Sequence, residues 1–294
     1  MKVLITGITG TLGHALAERF HDEWDIVGFS RDELKQADME RKYPDIKFVI
    51  GDVRDYHAVY KAMKGVDAVI HAAAMKRIEA CEKHPIEAFK TNVHGTENVA
   101  EAAYHHEVQK AVVIGSDKGV EPVNAYGMSK AMQEKIFISY GYNAVRYGNV
   151  FGSRGSVVPL FMDLAKRGES LRVTDPDMTR FMLPVNDAVE LIVKALNSPM
   201  KGDIYIKKSP ATRLIDIAKA FSDDIKIVGR MVGEKQHEML ISSSETTRMK
   251  EIDNGFVVIS LEDVGGESKE AYTSNKERIL SMEEIKELVA RYIK

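Results

Sequence analysis

The stretch KVLITGITGTLG, residues 2–13, decides the fold. A β-branched apolar run, Lys2–Thr6, passes directly into Gly7, Gly10 and Gly13, and from there into Thr11–Phe20, whose apolar residues recur at spacings of three and four. Glycines at a strand-to-helix turn let the backbone bend tightly and approach a diphosphate, whose charge sits at the helix N-terminus. The loop comprising Gly7, Thr9, Gly10, Thr11, Leu12 and Gly13 is therefore expected to cradle the pyrophosphate of a dinucleotide.

Working outward, strand-like runs at Ile26–Ser30, Lys47–Ile50, Ala68–His71, Ala111–Gly115 and Asn143–Tyr147 alternate with helix-like stretches at Ala58–Met63, Glu87–Tyr104 and Ser129–Ser139. That alternation predicts an α/β fold, a Rossmann-type doubly wound parallel sheet built of right-handed βαβ units. After Tyr147 the texture changes to turns and short elements, apart from a helix at Asp187–Leu196, a strand at Asp203–Lys207 and a closing helix at Met282–Tyr292. The expected division is a nucleotide-binding domain over 1–147 with roughly 181–208, and a smaller C-terminal substrate-binding lobe over 148–180 and 209–294.

With 294 residues, 44% hydrophobic and 29% charged, the chain has the balance of an ordinary globular protein. A formal charge of -3 excludes a dedicated nucleic-acid binder. One cysteine, Cys81, excludes an intrachain disulfide framework and fits a reducing compartment. No apolar run approaches the ~18 residues of a spanning helix, and the apolar start breaks at Gly7, too soon for a secretory signal. The expected location is cytoplasmic, without membrane partners. The nine histidines show no metal-ligand spacing, so no metal is expected.

The second strand ends in Ser30-Arg31, where an acid would favour NAD and an arginine accommodates a 2′-phosphate. With Lys35 adding charge, NADP is the expected cofactor; Asp52 and Val53, after the third strand, are placed to hold its adenine. Ser116, Asp117 and Lys118 stand at the carboxyl end of the fifth strand, the end that forms the ligand crevice of an open α/β sheet. Tyr126 and Lys130 follow four apart, on one face of a helix. A lysine there favours the phenolate and makes the tyrosine a base for a sugar hydroxyl. Tyr-x-x-x-Lys occurs four times, but Tyr43/Lys47, Tyr60/Lys64 and Tyr272/Lys276 do not follow the fifth strand and are taken as structural.

The glycine loop, the stretch His71-Ala72-Ala73-Ala74, Asn92 and the Ser116, Tyr126, Lys130 set resemble the extended short-chain dehydrogenases/reductases. SRDELKQ at 30–36, AAAMKRIEACEKHP at 72–85, SDKGVEPVNAYGMSK at 116–130, RYGNVFGSRGSVVPLF at 146–161 and TDPDMTRFM at 174–182 narrow the resemblance to the UDP-N-acetylglucosamine 4,6-dehydratases of surface-polysaccharide and flagellin glycosylation. GEKQHEML at 233–240 and YTSN at 272–275 fit less sharply, and Gly115 and Gly119 depart from the bulkier residues usual there.

The resemblance implies a reaction in three stages: oxidation at C4 with Tyr126 as base, elimination of water across C5–C6, and reduction at C6 by the same NADP. Asp117 would protonate the departing C6 hydroxyl and Lys118 would take the C5 proton, inverting C5. A neutral Lys118 is required, and Lys130 is the cation expected to lower its pKa. Ser116 would bond the substrate, and Ala72, Ala73, Ala74 and Asn92 would flank the cofactor. Lys76 is implied near the sugar, Asn149, Arg154, Ser156 and Val157 near the uridine diphosphate, Arg180 on a phosphate, and Thr174, Glu238 and Tyr272 around the rest of the substrate. The family also implies a homo-oligomer. A UDP-sugar C4 epimerase would use the same Tyr126 and Lys130 but leave Asp117-Lys118 without a role. A non-catalytic NADP-binding redox sensor generally lacks the tyrosine–lysine pair.

Overall fold

The computed structural model describes residues 1–252, 255–261 and 265–293. Strands β1 (Lys2–Thr6), β2 (Asp25–Ser30), β3 (Lys47–Ile50), β4 (Ala68–His71), β5 (Lys110–Ile114) and β6 (Asn143–Arg146) lie parallel in the order β6-β5-β4-β1-β2-β3. The chain order reverses between β1 and β4, so a crevice opens beyond their carboxyl ends. Each strand is apolar on both faces because helices cover both. Val3 and Ile5 of β1 face one core, with Leu16, Leu191 and Ile192. Leu4 faces the other, with Val69, Val99 and Phe137.

Strand Ile204–Lys207 extends the sheet in parallel beside β6. Beyond it, Phe256–Ile259 and Met249–Glu251 add two antiparallel strands, completing nine. These two corrected the expected division, which gave all of 209–294 to the covering lobe. Phe256–Ile259 is a fully buried run of four apolar residues, too short for periodicity to assign. The expected single helix over Glu87–Tyr104 is instead broken by a π-helical segment, Phe89–His94, ahead of Gly95–His105. A third core, with Val158, Phe161, Leu171, Met178, Ile217 and Ile285, holds the lobe together. Among the described residues no helix is long and apolar enough to cross a membrane.

Lobe and sheet are joined through a buried ion cluster. Arg146, at the end of β6, donates through Nε and Nη2 to Glu134 of the helix Ala125–Ser139 (3.2 and 2.7 Å). Its Nη1 and Nη2 also bond Glu245 (3.0 and 3.1 Å), and Nη1 reaches the Leu240 carbonyl (2.9 Å). Every guanidinium hydrogen thus has an acceptor, and three distant segments share one cation. The Glu134 carboxylate fits because residue 115 is glycine: a Cβ there would lie 2.2 Å from Glu134 Oε1.

Removing one member of a buried pair strands the remaining charge, at a cost of about 3–5 kcal/mol. Arg146→Met is expected to lose that much in urea unfolding; a loss below about 1 kcal/mol would show that the cluster does not hold the lobe.

Candidate active site

The crevice beyond β1 and β4 is a cavity of about 800 Å³. Gly7, Thr9, Gly10, Thr11 and Leu12 line its floor. Gly7 has φ +71°, and a Cβ there would lie 2.8 Å from the Ala73 backbone nitrogen, so the turn after β1 and the loop after β4 meet without side chains between them. A Cβ on Gly13 would lie 2.1 Å from the Ile8 carbonyl oxygen; Gly13 thus packs the turn and does not line the cavity. The first turn of helix Thr11–Phe20 has no side-chain cap, which leaves its N–H groups free for an anion. These residues fit a dinucleotide pyrophosphate.

Ser30, Arg31, Lys35 and Val53 line the adenosine end of the cavity, and Ala72, Ala73 and Ala74 its middle. Arg31 sits 3.6 Å from Asp52, and Lys35 pairs with Asp32. Asp52 itself turns to Arg54 (2.6 Å) and does not line the cavity. Asn92 is also set back. Its amide bonds the Met75 backbone in both directions (2.7 and 2.9 Å) and the Ser129 hydroxyl (2.8 Å), fixing the loop after β4 to the Tyr126 helix. Thr91 of the same π-helical segment reaches the cavity in its place, a consequence of the extra residue in that turn that no spacing reveals.

Tyr126 and Lys130 face the cavity near the cofactor floor. Asn124 caps their helix by accepting from the Gly127 N–H (2.7 Å), and Gly127 lets it approach β5: a Cβ there would lie 2.3 Å from the Lys118 carbonyl oxygen. Burial pushes Tyr126 up to about 12, against the pull of the Lys118 charge and the Ser116 hydroxyl. Burial lowers Lys130 to about 8, with Glu134 opposing; its ammonium donates to the Ile114 carbonyl and to Gln133 Oε1 (2.6 Å).

Ser116, Asp117 and Lys118 form a tight turn where β5 ends, with Ser116 Oγ accepting from the Lys118 N–H (3.3 Å). Lys118 Nζ lies 3.1 Å from Asp117 Oδ1, 3.0 Å from Asn149 Oδ1 and 3.4 Å from Glu238 Oε1. Burial alone would lower Lys118, but the carboxylates of Asp117 and Glu238 override it and hold the ammonium above its ordinary range. This corrects the expectation of a resting neutral Lys118 tuned by Lys130. Burial raises Asp117, helped by the charge of Glu238, so it is the carboxyl most easily protonated. Burial would also raise Glu238, yet Lys118 and Arg180 keep it below the usual range. Asp117 Oδ2 and Glu238 Oε2 are both buried without a hydrogen-bond partner, which leaves each carboxylate an unused acceptor.

The implied substrate residues divide. Asn149, Ser156, Val157, Thr174, Lys76, Arg154 and Arg180 line the cavity, and buried Ser156 Oγ has no partner. Arg180 is not free for a phosphate, however. Its guanidinium donates to the carbonyls of Thr179 (2.7 Å), Gln236 (3.1 Å) and Lys235 (3.0 Å), and Nε faces Glu238 at 3.6 Å. Tyr272 lies away from the cavity, its hydroxyl donating to Glu277 (2.5 Å) and its ring stacked on Phe181. Met231 and Glu234, which sequence reasoning missed, line the rim; nothing in their spacing signals it.

Residues 3–260 match the family model described as polysaccharide biosynthesis protein. A Rickettsia rickettsii protein named UDP-glucose 4-epimerase is 42% identical over 322 residues, covering 98% of this chain and 94% of the relative. The X-ray structure of Pen from Bacillus thuringiensis is 32% identical with a TM-score of 0.92, covering 99% of this chain and 97% of its own. The dTDP-glucose 4,6-dehydratase DesIV of Streptomyces venezuelae, solved with NAD bound, is 20% identical with a TM-score of 0.73, covering 80% of this chain and 87% of its own, and shows the same fold. With the family model matching residues 3–260, most of its length, the chain belongs to the polysaccharide biosynthesis protein family.

Proposed function

We propose that the protein is an NADP-dependent UDP-N-acetylglucosamine 4,6-dehydratase that inverts C5. The observation that carries this reading is the buried contact between Asp117, Lys118 and Glu238 at the end of β5, an acid–base set beyond what oxidation at C4 needs. The cofactor would lie along the glycine loop, with Arg31 and Lys35 beside its 2′-phosphate. Bound there, it supplies the oxidation at C4 and the later reduction at C6. Tyr126 takes the C4 hydroxyl proton. Its pKa, raised by burial, is drawn back by the Lys118 charge and the Ser116 hydroxyl, and Lys130, protonated below about 8, would add to that pull.

The charged state of Lys118 does not oppose the elimination. One proton moving from its ammonium to Asp117 across 3.1 Å converts an ion pair into an amine beside a carboxylic acid, with no net charge change. The amine then takes the C5 proton, made acidic by the C4 ketone, and the acid protonates the leaving C6 hydroxyl. The ion pair is thereby restored as water departs. Glu238, balanced by Arg180, keeps its charge throughout and holds Lys118 in place.

Epimerisation at C4 is the second reading. The name of the Rickettsia relative favours it directly, and it would need Tyr126 and Lys130 only.

Proton NMR of the protein with UDP-N-acetylglucosamine in deuterated water separates the two. A 6-methyl signal with deuterium at C5, and ring couplings of the inverted sugar, is the expected result. UDP-N-acetylgalactosamine, or galactose epimer from UDP-glucose, without a methyl signal would establish the epimerase. Lys118→Ala is expected to abolish C5 exchange while leaving oxidation at C4 detectable in the nicotinamide absorbance; normal exchange would remove Lys118 from the role. Arg31→Ala should weaken NADP+ by about tenfold, the scale of one charge-assisted contact, and leave NAD+ unchanged. Equal affinities for both cofactors before and after substitution would show that NADP is not selected at this position.

A further inference from the structure

Arg154 of the lobe reaches across the cavity to the glycine loop. Arg154 lies between strand Asn149–Val150 and helix Val157–Lys166. Its backbone N–H donates to Thr11 Oγ1 (3.0 Å), and its Nη1 donates to the Thr9 carbonyl (3.2 Å). From the other wall, Lys76 Nζ donates to the Arg154 carbonyl (2.6 Å). Three segments distant in sequence are thus strapped together over the first turn of helix Thr11–Phe20.

The strap carries charge without a counterion. Among the described residues neither Lys76 nor Arg154 has a carboxylate within ion-pair distance. Burial and the nearby Arg154 charge both lower Lys76, and the same two causes lower His14, one helical turn past Gly10. Two cations therefore stand together beside the free N–H groups of a helix N-terminus. Such an arrangement is stable once an anion with several oxygens lies between them, and a planar guanidinium suits a diphosphate.

We propose that Arg154 belongs to the cofactor and not to the sugar nucleotide: its guanidinium closes over the cofactor pyrophosphate, and the Lys76–Arg154–Thr9/Thr11 strap retains the cofactor from one turnover to the next. The inference rests on the reading above, since a reaction that returns its cofactor to the starting state each cycle gains from slow release. The retained group is a diphosphate in either case, and two sources offer one, the dinucleotide and the nucleotide sugar. Position assigns it to the dinucleotide, because the guanidinium lies against the Thr9 carbonyl of the glycine loop while the Arg154 backbone N–H holds Thr11 Oγ1.

The test loads the protein with NADPH and follows its release by nicotinamide fluorescence after mixing with excess NADP+, and follows UDP binding by calorimetry. Arg154→Ala is expected to speed release by about tenfold or more, with UDP affinity changed by less than about twofold. Lys76→Ala should act in the same direction to a smaller extent. Weakened UDP binding with unchanged NADPH release would assign the strap to the substrate and overturn the proposal, as would no change in either. These readouts do not depend on which sugar reaction occurs, so failure here and failure of the dehydratase reading are separable.

Discussion

Burying Lys118 against Asp117 and Glu238 is the constraint on which the rest of the site depends. Charges removed from water cost several kcal/mol each unless they meet partners at close range. Asp117 and Lys118 come from the end of β5, and Glu238 comes from the lobe. The lobe must therefore seat on the sheet closely enough to deliver Glu238, and the hydrogen bonds around it show how that is done. Ser274 Oγ accepts from the Glu238 N–H (2.9 Å) and bonds Thr179 Oγ1 (2.7 Å), which also meets His237 Nδ1 (2.8 Å). Arg180 then completes the charge balance from the neighbouring position.

The two halves of the cavity use different physics. At the cofactor end the protein withholds side chains, so that backbone N–H groups can approach a diphosphate. At the other end it crowds ionisable groups together in a buried cluster, where charges interact strongly with their neighbours. The loop after β4 touches both ends, which explains why Asn92 spends its whole amide on fixing that loop.

Much of this was legible in the sequence. Six strands and the glycine turn announce themselves because local geometry, a βα turn and an apolar run, leaves few alternatives. Tyr126 and Lys130 stand out from three other tyrosine–lysine pairs through their place after the fifth strand. What was not legible depends on contacts between distant segments. The antiparallel strand Phe256–Ile259 is assigned by its partner Ile204–Lys207 and not by its own four residues. Arg180 carries the right chemistry for a phosphate, yet lobe carbonyls consume its hydrogens. Lys118 looked like a base in need of a cation, and the closeness of Asp117 and Glu238 together shows that its ammonium is favoured.

Gly115 carries a consequence of its own. Its missing side chain is the space occupied by Glu134, whose only nearby guanidinium, among the described residues, is that of Arg146. Positions 115, 134 and 146 thus behave as a single heritable unit. Enlarging the first displaces the second and leaves the third with Glu245 as its remaining carboxylate, so a change at one position alone is expected to give a less stable protein. Grafting this active site onto a relative with a bulkier residue at the end of the fifth strand would require moving all three together.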